Sequence, residues 1–178
     1  DEGNSGLTGL NGVLDIANRM ITMVSGGYMT LYEYQPAVAG YYDGVTYCHK
    51  QLINACTPWN GYYTLDSGYY MNLHFSQFMD KGWSFIYDAC YGDAKVGGDG
   101  HALVDAKYSY ITACSAEGDY STIITNTTSK PITYNFEVSN LAKAGNEVYV
   151  WETRGPDSNQ KYDANYFKKI AAVTPENN

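Results

Sequence analysis

The clearest pattern in the chain is a run of apolar residues at three- and four-residue steps near its start. Leu10, Val13, Leu14, Ile16, Ala17, Met20, Ile21 and Val24 recur with the period of one helix face, which predicts an amphipathic helix. Thr8 or Asn11 offers an oxygen to cap its start, and Ser25-Gly26-Gly27 ends it. From Tyr28 to Tyr42 the pattern is broken by Pro36, which fits a helix start or forces a kink. Residues 43–63, with Gly44, Pro58, Asn60 and Gly61, read as loop.

From Tyr69 the period changes to two. Met71, Leu73 and Phe75 alternate with Asn72, His74 and Ser76, and lead through Phe78 to Trp83, Phe85, Ile86 and Tyr87. Short strand-like runs follow at His101–Asp105, Tyr108–Ala113, Ser121–Asn126, Ile132–Val138 and Glu147–Thr153. Gly97-Gly98-Asp99-Gly100 and Glu117-Gly118-Asp119 read as hairpin turns. Short strands at this spacing predict a β-sandwich. Its expected core is Phe85, Ile86, Leu103, Val104, Ile111, Ile123, Ile124, Phe136, Val138, Val148, Val150 and Trp151. Burying each contributes about 1.5–3 kcal/mol before conformational entropy is set against it. The fold class expected is therefore α+β. Residues 1–82 form a helical, loop-rich unit too short to be a complete fold, and residues 83–178 form an antiparallel β-sandwich. At the far end, Thr174-Pro175-Glu176-Asn177-Asn178 is a polar exit, beyond which one more closing strand is expected.

Charge narrows the partners. A net charge of −8 over 178 residues argues against nucleic acid or an anionic membrane surface. No apolar run is long enough to span a membrane, and Asp1-Glu2-Gly3-Asn4-Ser5 lacks the basic start and apolar stretch of a signal peptide. Nineteen Tyr stand against five Phe. Tyr pairs a flat apolar ring with a hydroxyl, which suits sugar stacking and equally suits the half-exposed faces of a sheet. The four cysteines, Cys48, Cys56, Cys90 and Cys114, have no zinc-ligand spacing and allow up to two disulfides of unassigned pairing. Asn126-Thr127-Thr128 is a glycosylation sequon, relevant to a protein secreted by a eukaryote. The Tyr-, Asn-, Thr- and Gly-rich, weakly charged composition points outside the cytoplasm: secreted, periplasmic or lysosomal.

The rarest residues cluster in two motifs. One is Thr57-Pro58-Trp59-Asn60-Gly61-Tyr62-Tyr63; the other is His74-Phe75-Ser76-Gln77-Phe78-Met79-Asp80-Lys81-Gly82-Trp83. Together with Asp1-Glu2-Gly3-Asn4-Ser5, Gly27-Tyr28-Met29-Thr30 and Tyr41-Tyr42, they keep an ungapped register over about 80 residues. In that register the segment resembles the galactocerebrosidase family, glycoside hydrolase family 59, from the catalytic nucleophile to the end of its (β/α)8 barrel. From residue 84 the likeness is one of strand pattern only, to the β-sandwich packed against that barrel.

The resemblance implies a retaining glycoside hydrolase that cleaves a galactoside or other carbohydrate. A retaining enzyme needs a nucleophilic carboxylate and an acid/base carboxyl about 5–5.5 Å apart. Glu2 matches the nucleophile by position, at what would be the C-terminal end of a barrel strand. Ser5, Tyr47 and Trp59 fall at substrate-contacting positions. The family's acid/base sits on an Asn-Glu segment that precedes this stretch, so the chain requires an N-terminal partner half. No cofactor and no metal are implied, because the chemistry runs on two carboxylates and water. The chain departs from the family at Gln35-Pro36, where the family has a substrate-contacting Trp, and at Thr57, where it has Glu. It also lacks the Arg that the family draws into the site from the sandwich; the sandwich Arg here is Arg154.

Trp59 as a sugar platform competes with Trp59 as a lock on a tight turn. His74 reads as a hydrogen-bonded core His rather than a ligand, and Asp66, Asp80 and Asp88 read as turn residues. His49 and His101 have no metal-ligand spacing to an acidic residue. A second class remains open on residues 84–178: a non-catalytic carbohydrate-binding β-sandwich module. A structural surface or adhesion domain is a third.

Overall fold

A computed structural model of the chain describes residues 10–34, 36–40, 51–55, 61–93, 95–96, 103–104, 107–137, 147–155 and 165–174. The predicted first helix is present as α1, Leu10–Gly27. It ends in a tight reversal. Tyr28 N–H donates to the Val24 carbonyl at 3.1 Å, Met29 N–H donates to Met23 at 3.2 Å, and Tyr28 sits at φ 54°. This is the left-handed cap that usually takes glycine; here a tyrosine occupies it one residue past Gly27.

Beyond the irregular stretch that follows, β1 (Val38–Gly40) pairs in parallel with β2 (Ile53–Ala55), and β3 (Thr64–Leu65) runs antiparallel to β2. Residues 53–55, expected as loop, are thus a strand held between two neighbours. α2 spans Ser67–Ser76. This corrects the extended reading of residues 71–76, including the placing of His74 on a strand. The helix packs on two sides, which is why its sequence lacks a single apolar stripe. Met71 and Phe75 meet α1, while Tyr70 and His74 meet Tyr166 and Phe167.

The strand-rich part begins with β4 (Ser84–Phe85), a 3-10 turn at Tyr87–Ala89, and β5 (Tyr91–Gly92). β6 (Lys95–Val96) and β7 (Leu103–Val104) make a short antiparallel pair. β8 (Tyr108–Cys114) is the spine of a four-stranded sheet: β4 and β5 lie one after the other along one edge, and β9 (Tyr120–Asn126) covers the other in unbroken register. The β8–β9 hairpin turns where predicted, with Gly118 at φ 97° and the Ser115 hydroxyl accepting from Glu117 N–H and Asp119 N–H. β10 (Val148–Glu152) and β11 (Lys168–Val173) form an antiparallel ribbon with an irregularity between Val150 and Trp151. β11 went unread in the sequence. The expected strand at 132–138 is not formed over the described residues 131–137, whose Tyr134 instead lies edge-on to Tyr108 and Tyr110. The fold class is α+β, with several small antiparallel sheets and two helices among the described residues.

Alternation along β8 decides the core. Ser109, Ile111 and Ala113 point to α1, and Tyr108, Tyr110 and Thr112 point away. Ile21 of α1 packs with Ile111 and Ile123, joined by Val24, Phe75, Met79, Phe85 and Cys90. Ile16, Ala17 and Met71 form a second cluster, and Phe75 touches both. Of the expected core residues, Ile111 and Ile123 are buried, and Phe85, Ile86, Ile124, Val150 and Trp151 are half-buried. Phe136 and Val148 are exposed, at 62% and 48%, because no second described layer covers them. Leu103, Val104 and Val138 fall outside the residues whose side chains are described.

α1 approaches the sheet closely enough to need a glycine. A Cβ at Gly92 of β5 would lie 2.6 Å from the Thr22 Cα. Beside this contact Asn18 enters the sheet, where its Oδ1 accepts from the hydroxyls of Ser109 and Thr125. Both hydroxyls are buried, and they lie 2.7 Å apart.

Candidate functional site

Glu2, Ser5, Tyr47 and Trp59 lie outside the described residues, as do His49, His101, Cys48 and Cys56. What the structure describes is the framework on either side of them. α1 begins at Leu10, five residues after Ser5 in the sequence. The Pro58-Trp59 loop joins β2 to β3, and the base of that hairpin is tied twice. Asp66 N–H donates to the Leu52 carbonyl at 3.0 Å, and Gln51 Nε2 donates to Asp66 Oδ2 at 2.9 Å. Gln51 is fully buried. On the loop's far side Gly61 takes φ 75°, a conformation that favours glycine. Asp66, read as a turn residue, is therefore also the acceptor that closes this hairpin and the residue that leads into α2. Nothing in the local sequence pairs Gln51 with Asp66; only the antiparallel register of β2 and β3 brings them together.

A cleft of about 280 Å³ opens between the end of α1, residues 29–32 and α2. Met20, Met23, Val24, Met29, Leu31, Phe75 and Met79 dominate its lining, with no Asp, Glu or His. It lacks the groups for acid–base catalysis. No cluster of three His, Cys, Asp or Glu side chains that could hold a metal occurs among the described residues.

His74 has a structural environment. Its Nε2 lies 2.7 Å from the Thr153 hydroxyl, and its ring meets Phe167 edge-on at 5.1 Å. Burial lowers its pKa to about 4, so the imidazole is neutral at ordinary pH. The core-histidine expectation holds, with Thr153 as the partner that the sequence did not reveal. Arg154 pairs with Glu152 at 3.0 Å on the surface. Cys90 and Cys114 are free thiols. Cys90 Sγ lies 3.1 Å from the Ile86 carbonyl, and burial raises its pKa.

Comparison with known proteins identifies the framework. Residues 2–77 match the model of glycosyl hydrolase family 59. The galactocerebrosidases of Canis lupus familiaris and Homo sapiens are each 34% identical over 79 residues, 44% of this chain. The galactocerebrosidase of Salmo salar is 27% identical over 155 residues, 83% of this chain, so that match runs past Trp83 into the strand-rich part. The matches cover 12%, 11% and 22% of the dog, human and salmon proteins, so the chain spans only a small part of their length. Residues 2–77 are thus similar to a glycoside hydrolase family, glycosyl hydrolase family 59. The relatives that share this stretch are galactocerebrosidases.

Proposed function

We propose that the chain is part of a retaining glycoside hydrolase acting on β-galactosides, and that it carries the nucleophile half of the active site. The single observation that carries this reading is the family match over residues 2–77, which begins at Glu2. In this reading residues 1–82 are the last part of a (β/α)8 barrel and residues 83–178 are a β-sandwich packed against it. The parallel β1–β2 pair and the α1 packing on the sheet fit that arrangement.

Glu2 attacks the anomeric carbon as the leaving oxygen takes a proton from an acid/base carboxyl. Water then releases the glycosyl-enzyme with net retention. That second carboxyl comes from an N-terminal partner segment of the same enzyme. Ser5, Tyr47 and Trp59 contact the sugar, Trp59 by stacking its indole on a pyranose face. The doubly tied β2–β3 base holds the loop that carries Trp59. Gln35-Pro36 and Thr57 depart from the family's residues, which weighs against a galactosyl-lipid substrate more than against glycoside hydrolysis. The site is extracytoplasmic in this reading, and no described helix is long and apolar enough to cross a membrane.

Replacing Glu2 in the full-length protein tests the reading. Glu2→Gln lowers turnover of an aryl β-galactoside by roughly a thousand-fold or more while leaving the fold intact. Unchanged turnover contradicts the assignment. The carbohydrate-binding alternative has less support from geometry. Tyr91 stacks on Tyr108 at 5.4 Å and on Tyr110 at 5.9 Å, and Tyr134 meets the latter two edge-on, so the rings cover one another's faces rather than lying side by side as a flat platform.

A further inference from the structure

His74 joins the family-matched segment to the last described ribbon of the fold. The joint has three parts. Tyr70 and His74 on α2, and Phe78 just beyond its end, form a row at four-residue steps. Against that row lie Tyr166, Phe167 and Trp151: Tyr70–Tyr166 at 5.2 Å, His74–Phe167 at 5.1 Å, Phe78–Trp151 and Phe78–Phe167 each at 5.6 Å. Trp151 and Phe167 also pack together at 4.8 Å. At the centre is a directional hydrogen-bond chain. The Phe167 backbone N–H donates to Thr153 Oγ1 at 2.9 Å, and Thr153 Oγ1 lies 2.7 Å from His74 Nε2.

The amide can only donate, so Thr153 Oγ1 accepts there and the hydroxyl keeps its own proton to give. In the polarity that gives this proton to His74 Nε2, that nitrogen carries no proton and the neutral ring holds its proton on Nδ1. Phe167 is itself held at φ 49°, a left-handed conformation costly for an aromatic residue, so the joint fixes a backbone that would relax if released.

We propose that the His74–Thr153–Phe167 chain is an acid-released tie between α2 and the β10–β11 ribbon. Protonating Nε2 turns the acceptor into a donor that faces a hydroxyl already oriented toward it, and places a charge among Phe78, Phe167 and Trp151. Among the described residues, the titratable and charged groups on the elements packed against His74 are these. On α2, Tyr70 turns to Tyr166. At the end of β10, Glu152 and Arg154 flank Thr153 and pair with each other. On the approach to β11 stands Tyr166, and Lys168 opens the strand. Burial, with no charge contribution, is what depresses the His74 pKa. This inference stands independently of the catalytic reading.

Amide exchange at Phe167 in the full chain, corrected for intrinsic rates, reads the tie. In the native protein its opening constant rises by up to roughly a hundred-fold between pH 6.5 and pH 4, as opening lets His74 regain an ordinary pKa. In His74→Gln the same amide shows a flat profile over that window. An equal rise in the variant overturns the proposal. Ring-proton NMR of His74 in the unmutated protein covers the case in which the variant does not fold. A midpoint near pH 4, with ring nitrogen shifts placing the proton of the neutral ring on Nδ1, supports the tie; a midpoint near 6.5, or a neutral ring protonated on Nε2, overturns it.

Discussion

The hydroxyl of Ser109 donates to the carboxamide oxygen of Asn18, joining the middle strand of the main sheet to α1. Thr125 donates to the same oxygen, so one α1 side chain ties β8 and β9 together. Both hydroxyls are buried. In Asn18→Ala one of them can turn to the other, 2.7 Å away, but the second buried donor is left unmatched, at a cost of about 1–3 kcal/mol. Denaturant unfolding checks it, as a lower midpoint at an unchanged slope.

Gly92 sets the distance between α1 and β5. Gly92→Ala pushes a methyl against the Thr22 backbone and destabilises by about 1–3 kcal/mol. Thr22→Ala does not rescue it, because removing the hydroxyl leaves the Thr22 Cα equally close, at 2.6 Å. A double-mutant cycle of unfolding free energies tests this, with little coupling expected.

The pH dependence of stability follows from His74. Its pKa falls from 6.5 unfolded to about 4 folded, so the unfolded state binds the proton first as pH drops. The contribution is complete above pH 6.5 and is lost as pH falls toward 4, by up to about 3 kcal/mol. His74→Gln flattens the stability profile between those pH values, which thermal unfolding at a series of pH values reads.

Cys90 is expected to resist alkylation. Its thiol touches the Ile86 and Thr112 carbonyls, and burial holds its pKa above the ordinary thiol value. Iodoacetamide at neutral pH leaves it unmodified in the native state and labels it on unfolding. Peptide mass spectrometry reads the difference.

Where one driving force set a local pattern, the sequence was readable. α1 has a face that must be buried, and its three-and-four spacing says so. β8 and β9 alternate because one face meets α1 and the other does not, and Gly118 marks their turn. α2 was misread because it is gripped from two sides. Met71 and Phe75 serve one neighbour, Tyr70 and His74 another, and the result imitates the alternation of a strand. Phe136 and Val148 looked like core because alternation gives a face, not the layer that covers it. The Gln51–Asp66, His74–Thr153 and Asn18–Ser109 pairs depend on contacts distant in sequence, so no local pattern announces them. Glu2, Ser5, Tyr47 and Trp59 were legible only through the motifs around them, and they lie outside the described residues.

The most direct measurement is covalent trapping. The full-length protein is incubated with a 2-deoxy-2-fluoro-β-galactoside bearing a good leaving group and then digested, and the labelled peptide is sequenced by mass spectrometry. The account predicts one fluorogalactosyl ester, on Glu2. A label on another carboxylate, or turnover of β-galactosides with no covalent adduct and inverted product, contradicts it.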